Sequence, residues 1–399
     1  MKKPIVLLTN TCPFRGEAFL KNELAYIPED QPVYLFPILA GKTMPLTDWD
    51  KPHIRVCTEG SGPVDKLLAL GHGLAAPFRN GELKAIFSKP SPLRNLLKAV
   101  KFAALSDSRA RAVRRFLKKE GITAPVVYSY WFYESAYAAA RLHKTFPGSR
   151  VICRCHGYDL YEVRHPGGYL PFRSWLMEQT DTLCPISQDG VDYLKTRFPQ
   201  AENLRLSRLG TGDHGLCIAE KAPVTTVVSC SNLLDVKRVD LLIKALAQCP
   251  QPVRWLHFGD GPLMESLCRQ AEGLPPHIQW QFMGSVPNAE LMTFYKENYV
   301  DVFVNVSSSE GVPVSIMEAL SFGIPAVATD VGGTHEIVED GCNGILLPKD
   351  AGPEAIAEAI FRAKNLPDAR ENARRIWQER CDATENYADF YENILKTQG

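Results

Sequence analysis

The chain has 399 residues, of which 45% are hydrophobic and 23% are charged, and its 45 Lys and Arg residues balance its 45 Asp and Glu residues. This composition excludes a disordered or fibrous protein, and the length exceeds what one compact core supports, so we expect two domains. No apolar run approaches the ~20 residues of a membrane-spanning helix. Eleven cysteines, an odd number, favour free thiols in a cytoplasmic protein over a disulfide framework.

Strand and helix patterns alternate along the first half of the chain. Apolar runs bounded by turn residues predict buried strands at 4–10, 32–39, 54–58, 124–130, 150–157 and 182–187. Amphipathic spacing predicts helices at 18–26, within the basic segment 84–121, and at 133–144, 169–179 and 188–197. A turn-rich link at 210–224 ends this series.

A second alternating series follows the link. Its predicted strands lie at 225–231, 253–260, 278–284, 301–307, 324–330 and 344–348, and its helices include 239–248, 263–271 and one between Pro313 and Gly323. Continuously apolar strands that alternate with helices are typical of parallel sheets covered on both faces. The sequence therefore predicts an α/β protein with two doubly wound, Rossmann-like domains that face each other across a cleft.

The charge is distributed unevenly although the net charge is zero. Residues 1–215 contain 30 Lys and Arg against 20 Asp and Glu, and the excess is concentrated in 84–121, where apolar residues recur at helical spacing. An anionic membrane surface, an anionic acceptor and an ordinary solvated helix face would each explain this segment. Nucleic acid is disfavoured, because the segment offers few aromatic residues for base stacking. Peripheral contact with the inner face of the plasma membrane through 84–121 therefore stays open.

Three turns of the second half follow predicted strands, at the edge where open parallel sheets bind ligands. The first contains Lys237, the second is FGDGP with Gly259, and the third is SSSEGVP with Glu310, Gly311 and Val312. Backbone N–H groups at a helix start bind phosphate, and a nearby lysine adds positive charge, whereas a carboxylate accepts hydrogen bonds from hydroxyl groups. Together the turns predict a site for a nucleotide diphosphate that carries a sugar.

A second glutamate, Glu318, lies inside the apolar helix that follows the third turn. Burying an unpaired carboxylate is costly, so on packing alone this side chain would point to solvent or bond a nearby hydroxyl. With Glu310 it gives a spacing that resembles the E-x7-E motif of family 4 glycosyltransferases, which are retaining enzymes of the GT-B fold. The resemblance extends over 310–347, and Lys237, the FGDGP turn and HGYD at 156–159 match in order and spacing.

The resemblance implies a role for each matching residue. Glu318 would bind the ribose hydroxyls, Glu310 the hydroxyls of the donor sugar, and Lys237 the leaving diphosphate, whose growing charge it would stabilise. The remaining donor-side residues that the resemblance implies are Gly311, Val312, Gly259, Gly284, Ser285 and, from the first domain, Gly16. His156 would contact the sugar or the acceptor. One departure is Asn232, at a position where family members often have an arginine.

The resemblance also implies the reaction and the domain roles. We expect retaining transfer of a sugar from a nucleotide-diphosphate sugar to a glycan or lipid-linked acceptor, and the similarity of 13–24 to capsule-building members indicates surface polysaccharide biosynthesis. Residues 1–212 would bind the acceptor and 213–382 the donor, and a helix in 383–399 would pack back on the first domain. No cofactor or metal is expected, because Lys237 and a helix start already neutralise phosphate. A non-catalytic nucleotide-sugar-binding homologue and a sugar-nucleotide epimerase remain the alternatives.

Overall fold

The computed structural model describes residues 2–10, 18–37 and 51–396. The chain forms two compact units, the first made of Met1–Ser207 with Asp389–Gly399 and the second of Arg208–Ala388. The division thus lies five residues before position 212, where the sequence places it, and the chain returns to the first unit at Asp389.

The first unit is built around a six-stranded sheet. Its strands are β1 (Ile5–Thr9), β2 (Val33–Pro37), β3 (Ile54–Val56), β4 (Val126–Ser129), β5 (Arg150–Cys155) and β6 (Thr182–Pro185). All neighbours in the order β3-β2-β1-β4-β5-β6 are parallel. Its helices are α1 (Ala18–Ala25), α2 (Pro63–Arg79), α3 (Leu83–Phe87), α4 (Pro92–Lys119), α5 (Glu134–His143), α6 (Gly157–Leu160), α7 (Arg173–Glu178) and α8 (Gln188–Arg197).

The second unit repeats this architecture. Its strands are β7 (Thr225–Cys230), β8 (Val253–Phe258), β9 (Ile278–Gly284), β10 (Val302–Asn305), β11 (Ala326–Thr329) and β12 (Gly344–Leu347). They form a parallel sheet in the order β12-β11-β10-β7-β8-β9. Its helices are α9 (Val239–Leu246), α10 (Met264–Ala271), α11 (Asn288–Glu297), α12 (Val314–Ser321), α13 (Pro353–Lys364) and α14 (Ala369–Arg380), followed by α15 (Ala383–Asp389).

Both sheets are doubly wound. In each unit the first three strands are added toward one edge of the sheet and the next three toward the other edge. The reversal places β1 beside β4 in the first unit and β7 beside β10 in the second. Ligands of such sheets bind beyond the carboxyl ends of the two strands at this switch point. The predicted α/β class with two doubly wound sheets is confirmed, and the fold directs attention to the ends of β7 and β10.

Helix α2 is an element that the sequence patterns do not predict. Its buried face consists of small or paired residues, and Gly73 packs so closely on α4 that an added Cβ would lie 2.6 Å from the carbonyl oxygen of Val100. Its large side chains, by contrast, point to solvent. Within the described ranges, no helix is both long and apolar enough to cross a membrane.

The last described residues belong to the first unit. A π-helical segment, Phe390–Leu395, follows α15, and the ring centroid of Phe390 lies 4.2 Å from the guanidinium carbon of Arg154. Arg154 is fully buried and forms an ion pair with Glu23, with 3.2 Å between Nε and Oε2. The C-terminal segment therefore covers a buried charged pair in the first unit.

Candidate functional site

Lys237 and Glu310 meet at the switch point of the second sheet. Lys237 ends a 3-10 turn that follows β7, and Glu310 lies five residues after the end of β10. The distance from Lys237 Nζ to Glu310 Oε1 is 2.6 Å, and the Asn305 amide donates to the same oxygen at 3.4 Å. Burial raises the pKa of the Glu310 carboxyl, but the charge and hydrogen bond of Lys237, together with hydrogen bonds from Ser307 and Asn305, hold this pKa below its usual value. Glu310 is therefore a buried carboxylate with its charge compensated.

Arg238 fixes the turn that presents Lys237. Its backbone is left-handed, with φ 49°, and its guanidinium donates to the carbonyl oxygens of Val306, Ser307 and Lys349. The N–H of Ser308 also donates to the carbonyl oxygen of Val236 at 2.8 Å. Arg238 thus holds the loop after β7 against the loop after β10.

Glu318 lies on the inner face of α12 and is 7% exposed. The Asn288 amide, at the start of α11, donates to its Oε1 at 2.7 Å. Burial raises the pKa of Glu318 to about 7, although the Asn288 hydrogen bond acts in the opposite direction. The carboxyl group is therefore buried close to the loop that follows β9, where it can accept hydrogen bonds from a ligand.

Glycines allow the loops of this edge to pack against each other. A Cβ on Gly259 would lie 1.9 Å from the carbonyl oxygen of Ser231, and one on Gly332 would lie 2.1 Å from that of Glu310. Both residues also have positive φ, 130° and 56°. Glycine is thus required at both turns for two reasons: a side chain would collide with the neighbouring backbone, and the backbone has a positive φ.

The other residues that the resemblance implies in the second unit lie on the same edge of its sheet. Gly311 and the buried Val312 precede α12, and the carbonyl oxygen of Gly311 accepts from the N–H of Gly333 at 2.6 Å. Gly284 ends β9 with φ 71°, its carbonyl oxygen accepts from the N–H of Gly259 at 2.8 Å, and Ser285 after it is exposed. Asn232 is exposed in the loop after β7.

His156 lies in the first unit, directly after β5, and is 7% exposed. Its ring contacts Trp131, Tyr130 and Phe19, with centroid distances of 4.4, 5.0 and 5.5 Å. Neither ring nitrogen has a hydrogen-bond partner within the described part of the chain, while Asp159 accepts from the N–H groups of both His156 and Phe132. Gly16, the other site residue expected from the first domain, lies outside the described residues.

Two polar residues of the site were missed by the sequence analysis. Asn288 and Asn305 donate to Glu318 and Glu310, respectively. Asn305 lies inside the predicted strand 301–307, two residues before the SSSEGVP turn begins, so its position was a usable signal. Asn288 had none, because it meets Glu318 only through tertiary structure. No group of three or more His, Cys, Asp or Glu residues is placed to hold a metal ion within the described ranges. Asp48 and Asp50, whose D-x-D spacing resembles that of metal-dependent transferases, lie outside these ranges.

Comparison with known proteins identifies the domain that contains this site. Residues 218–380 match the family described as Glycosyl transferases group 1. WcaL of Salmonella typhimurium, assigned to colanic acid biosynthesis as a glycosyltransferase, is 25% identical over 366 residues, which is 85% of each chain. The O-antigen biosynthesis glycosyltransferase WbnH of Escherichia coli is 32% identical over 172 residues, or 42% of this chain and 46% of WbnH.

A solved structure extends the likeness to both units. HepE of Anabaena, crystallised with UDP-glucose, superposes with a TM-score of 0.71 at 18% identity and covers 99% of this chain and 100% of its own. Such low identity supports the fold alone. The chain thus has the GT-B fold, and its residues 218–380 form a glycosyltransferase domain of group 1.

Proposed function

We propose that the protein transfers a sugar, with retention of its anomeric configuration, from a nucleoside diphosphate sugar to a glycan or lipid-linked acceptor of a surface polysaccharide. The observation that carries the proposal is the Lys237–Glu310 pair at the switch point. A lysine there can bind a diphosphate, and a charged carboxylate there can bind sugar hydroxyls. Glu318, buried on the next helix, supplies a further acceptor for the ribose.

Donor binding would exchange partners within the site. Lys237 and Glu310 neutralise each other in the structure, whereas a bound diphosphate would pair with the lysine and the sugar hydroxyls would donate to the carboxylate. Lys237 would then stabilise the negative charge that grows on the departing nucleotide, and this interaction strengthens toward the transition state. Asn305 would keep Glu310 oriented throughout, because it donates to the same carboxylate oxygen.

The named relatives support the substrate classes. HepE was crystallised with UDP-glucose, which supports a nucleoside diphosphate sugar as donor. WcaL and WbnH are assigned to colanic acid and O-antigen biosynthesis, which supports a growing polysaccharide as acceptor. Lys237 and the backbone N–H groups before α12 would neutralise the diphosphate without a metal ion.

The first test is nucleotide binding. UDP, GDP, CDP and ADP are each added to the wild type and to Glu318→Ala, and thermal unfolding is recorded. A ligand at a hundred times its Kd stabilises a protein by about 2.7 kcal/mol, and we expect one nucleotide to do so only when Glu318 is present. Glu358→Ala, on the exposed face of α13, is the control. A wild type that responds to none of the four contradicts the proposed donor site.

The second test separates binding from transfer. We expect Glu310→Ala to keep the nucleotide response and to lose transfer, because this carboxylate is assigned to the sugar. Nucleotide binding by a wild type that never transfers would instead favour a non-catalytic homologue, and acceptor-independent isomerisation of the donor would favour an epimerase. Proton coupling constants of the product report the anomeric configuration, and an inverted product contradicts the retaining mechanism.

A further inference from the structure

Helix α2 presents its apolar side chains outward. Val64, Leu67, Leu74 and Phe78 recur at spacings of three, seven and four residues and therefore lie along one face, here named the outer face. The opposite face, which packs on α4, contains Asp65, Ala69, Gly73 and Ala76. This arrangement reverses the usual pattern of a surface helix, whose apolar stripe faces the core.

The start of α4 continues this apolar surface. Ser61 Oγ donates to the carbonyl oxygen of Ser108, and Gly73 packs against Val100 and Ala104, so α2 and α4 run antiparallel. The end of α2 with Phe78 therefore lies beside the start of α4 with Leu93 and Leu97. The exposed fractions range from 57% to 77% for Leu67, Leu74, Phe78, Leu93 and Leu97, and Phe87 of α3, between the two helices, is also exposed.

The segment that forms this surface is predominantly basic. Residues 63–105 contain seven Lys and Arg and two acidic residues. Both acids are buried and paired: Asp65 with Arg115, and Glu82 with the hydroxyl of Tyr169 at 2.7 Å. The exposed charges of the segment are therefore all positive; they belong to Lys66, Arg79, Lys84, Arg94 and Lys101.

We propose that the outer face of α2, with α3 and the start of α4, docks the protein on an anionic lipid bilayer. Exposed leucine and phenylalanine side chains flanked by lysine and arginine are what the boundary between acyl chains and anionic headgroups accommodates. A protein partner is less well matched, because lysine is depleted in protein interfaces. The surface differs from the basic segment 84–121 considered from sequence, since Phe102, Val113 and Phe116 of that segment are buried in the first unit.

Vesicle sedimentation tests this surface without reference to the sugar donor. The full chain is mixed with vesicles of phosphatidylcholine and phosphatidylglycerol, or of phosphatidylcholine alone, and we expect binding to the anionic vesicles only. The variant Leu67→Ser/Leu74→Ser/Phe78→Ser should bind at least about tenfold more weakly, because three insertable side chains are lost. Lys66→Gln/Lys84→Gln/Arg94→Gln should weaken the same binding through lost charge.

Controls make the result specific to this surface. Leu216→Ser/Ile218→Ser removes two side chains of the second unit that are 55% and 74% exposed, and it should bind like the wild type. Circular dichroism and thermal unfolding should not distinguish the variants, since every substituted side chain is exposed. A wild type that leaves anionic vesicles unbound, or a leucine–phenylalanine variant that binds them fully, overturns the proposal. So does a dimer in sedimentation velocity that this variant alone abolishes while vesicles remain unbound, because a second copy then covers the face.

Discussion

The carboxyl group of Glu318 should make stability depend on pH. Its pKa of about 7 in the folded protein lies above the 4.5 of an exposed glutamate, because burial disfavours the charged form. The folded protein thus holds this proton more tightly than the unfolded chain, and the stabilisation is lost as pH rises through 7. In nucleotide-free protein, we expect Glu318→Gln to become roughly 2 kcal/mol more stable relative to wild type between pH 5 and pH 8.

Thermal unfolding of both proteins across this pH range measures the difference. The comparison isolates one group, because every other titrating residue is common to the two proteins. Unfolding temperatures that stay parallel from pH 5 to pH 8 would contradict a buried, titrating Glu318.

Substitutions in the Lys237–Glu310 pair should separate stability from activity, because removing both charges restores stability but not sugar transfer. Lys237→Met leaves the 8%-exposed Glu310 without its cation, and we expect a loss of roughly 2 kcal/mol, less than for a fully buried pair because Lys237 is partly exposed. Lys237→Met/Glu310→Gln removes both charges and should regain most of this stability while remaining inactive. Denaturant unfolding measures the first effect and sugar transfer the second. A double variant as unstable as the single one would contradict the charge argument.

At the scale of the element, the turn at Gly332 should support the site through contact. Gly332 and Gly341 both have positive φ, but an added Cβ meets the carbonyl oxygen of Glu310 at the first and no heavy atom within 4 Å at the second. We expect Gly341→Ala to cost roughly 1 kcal/mol for its backbone conformation alone. Gly332→Ala should cost more and also weaken nucleotide binding, because the backbone of Glu310 has to move.

Unfolding temperatures with and without nucleotide distinguish the two glycine variants. Equal losses of stability, with nucleotide binding unchanged in both variants, would show that the contact of Gly332 with Glu310 affects neither stability nor binding.

The elements differ in how far the sequence predicts them. The strands of the second unit and its helices α9, α10 and α12 were predicted to within a few residues, because the strands are largely apolar and the turns contain glycine and proline, whereas α11 was not predicted. Helix α2 was missed, because Gly71, Gly73 and Pro77 lie inside it and glycine and proline are unfavourable within helices. Its leucines point outward. Periodicity shows that a helix has an apolar face, but it does not show whether anything covers that face.

The site shows the same limit. Glu310, Lys237 and Glu318 were identified from motif spacing, and the structure brings the first two within 2.6 Å. The Asn288–Glu318 contact joins two helices thirty residues apart and has no local pattern. The assigned roles of all these residues stay predictions until binding and transfer are measured.

At the scale of the whole molecule, the segment Phe390–Leu395 belongs to the first unit although it follows the second unit in the sequence. The ring of Phe390 is fully buried and covers Arg154, and the carbonyl oxygen of Ile394 accepts from Arg150 at 3.0 Å. Strand patterns predict the two sheets, but this return requires tertiary contacts, so the sequence could suggest it only through family resemblance. The first unit is therefore expected to depend on residues that follow the whole second unit.

Phe390→Ala tests this dependence. Removing a buried phenyl ring costs roughly 3 kcal/mol. Here it also uncovers Arg154, which forms an ion pair with Glu23. Burial raises the pKa of Glu23, and the charge of Arg154 offsets this rise only partly. We expect hydrogen exchange to accelerate in β4 and β5, which lie under the ring, and to stay unchanged in β7–β12. Glu392→Ala, exposed on the same segment, should alter neither sheet. Equal acceleration in both sheets would mean that the two units unfold together, which would contradict the expectation that Phe390 stabilises the first unit alone.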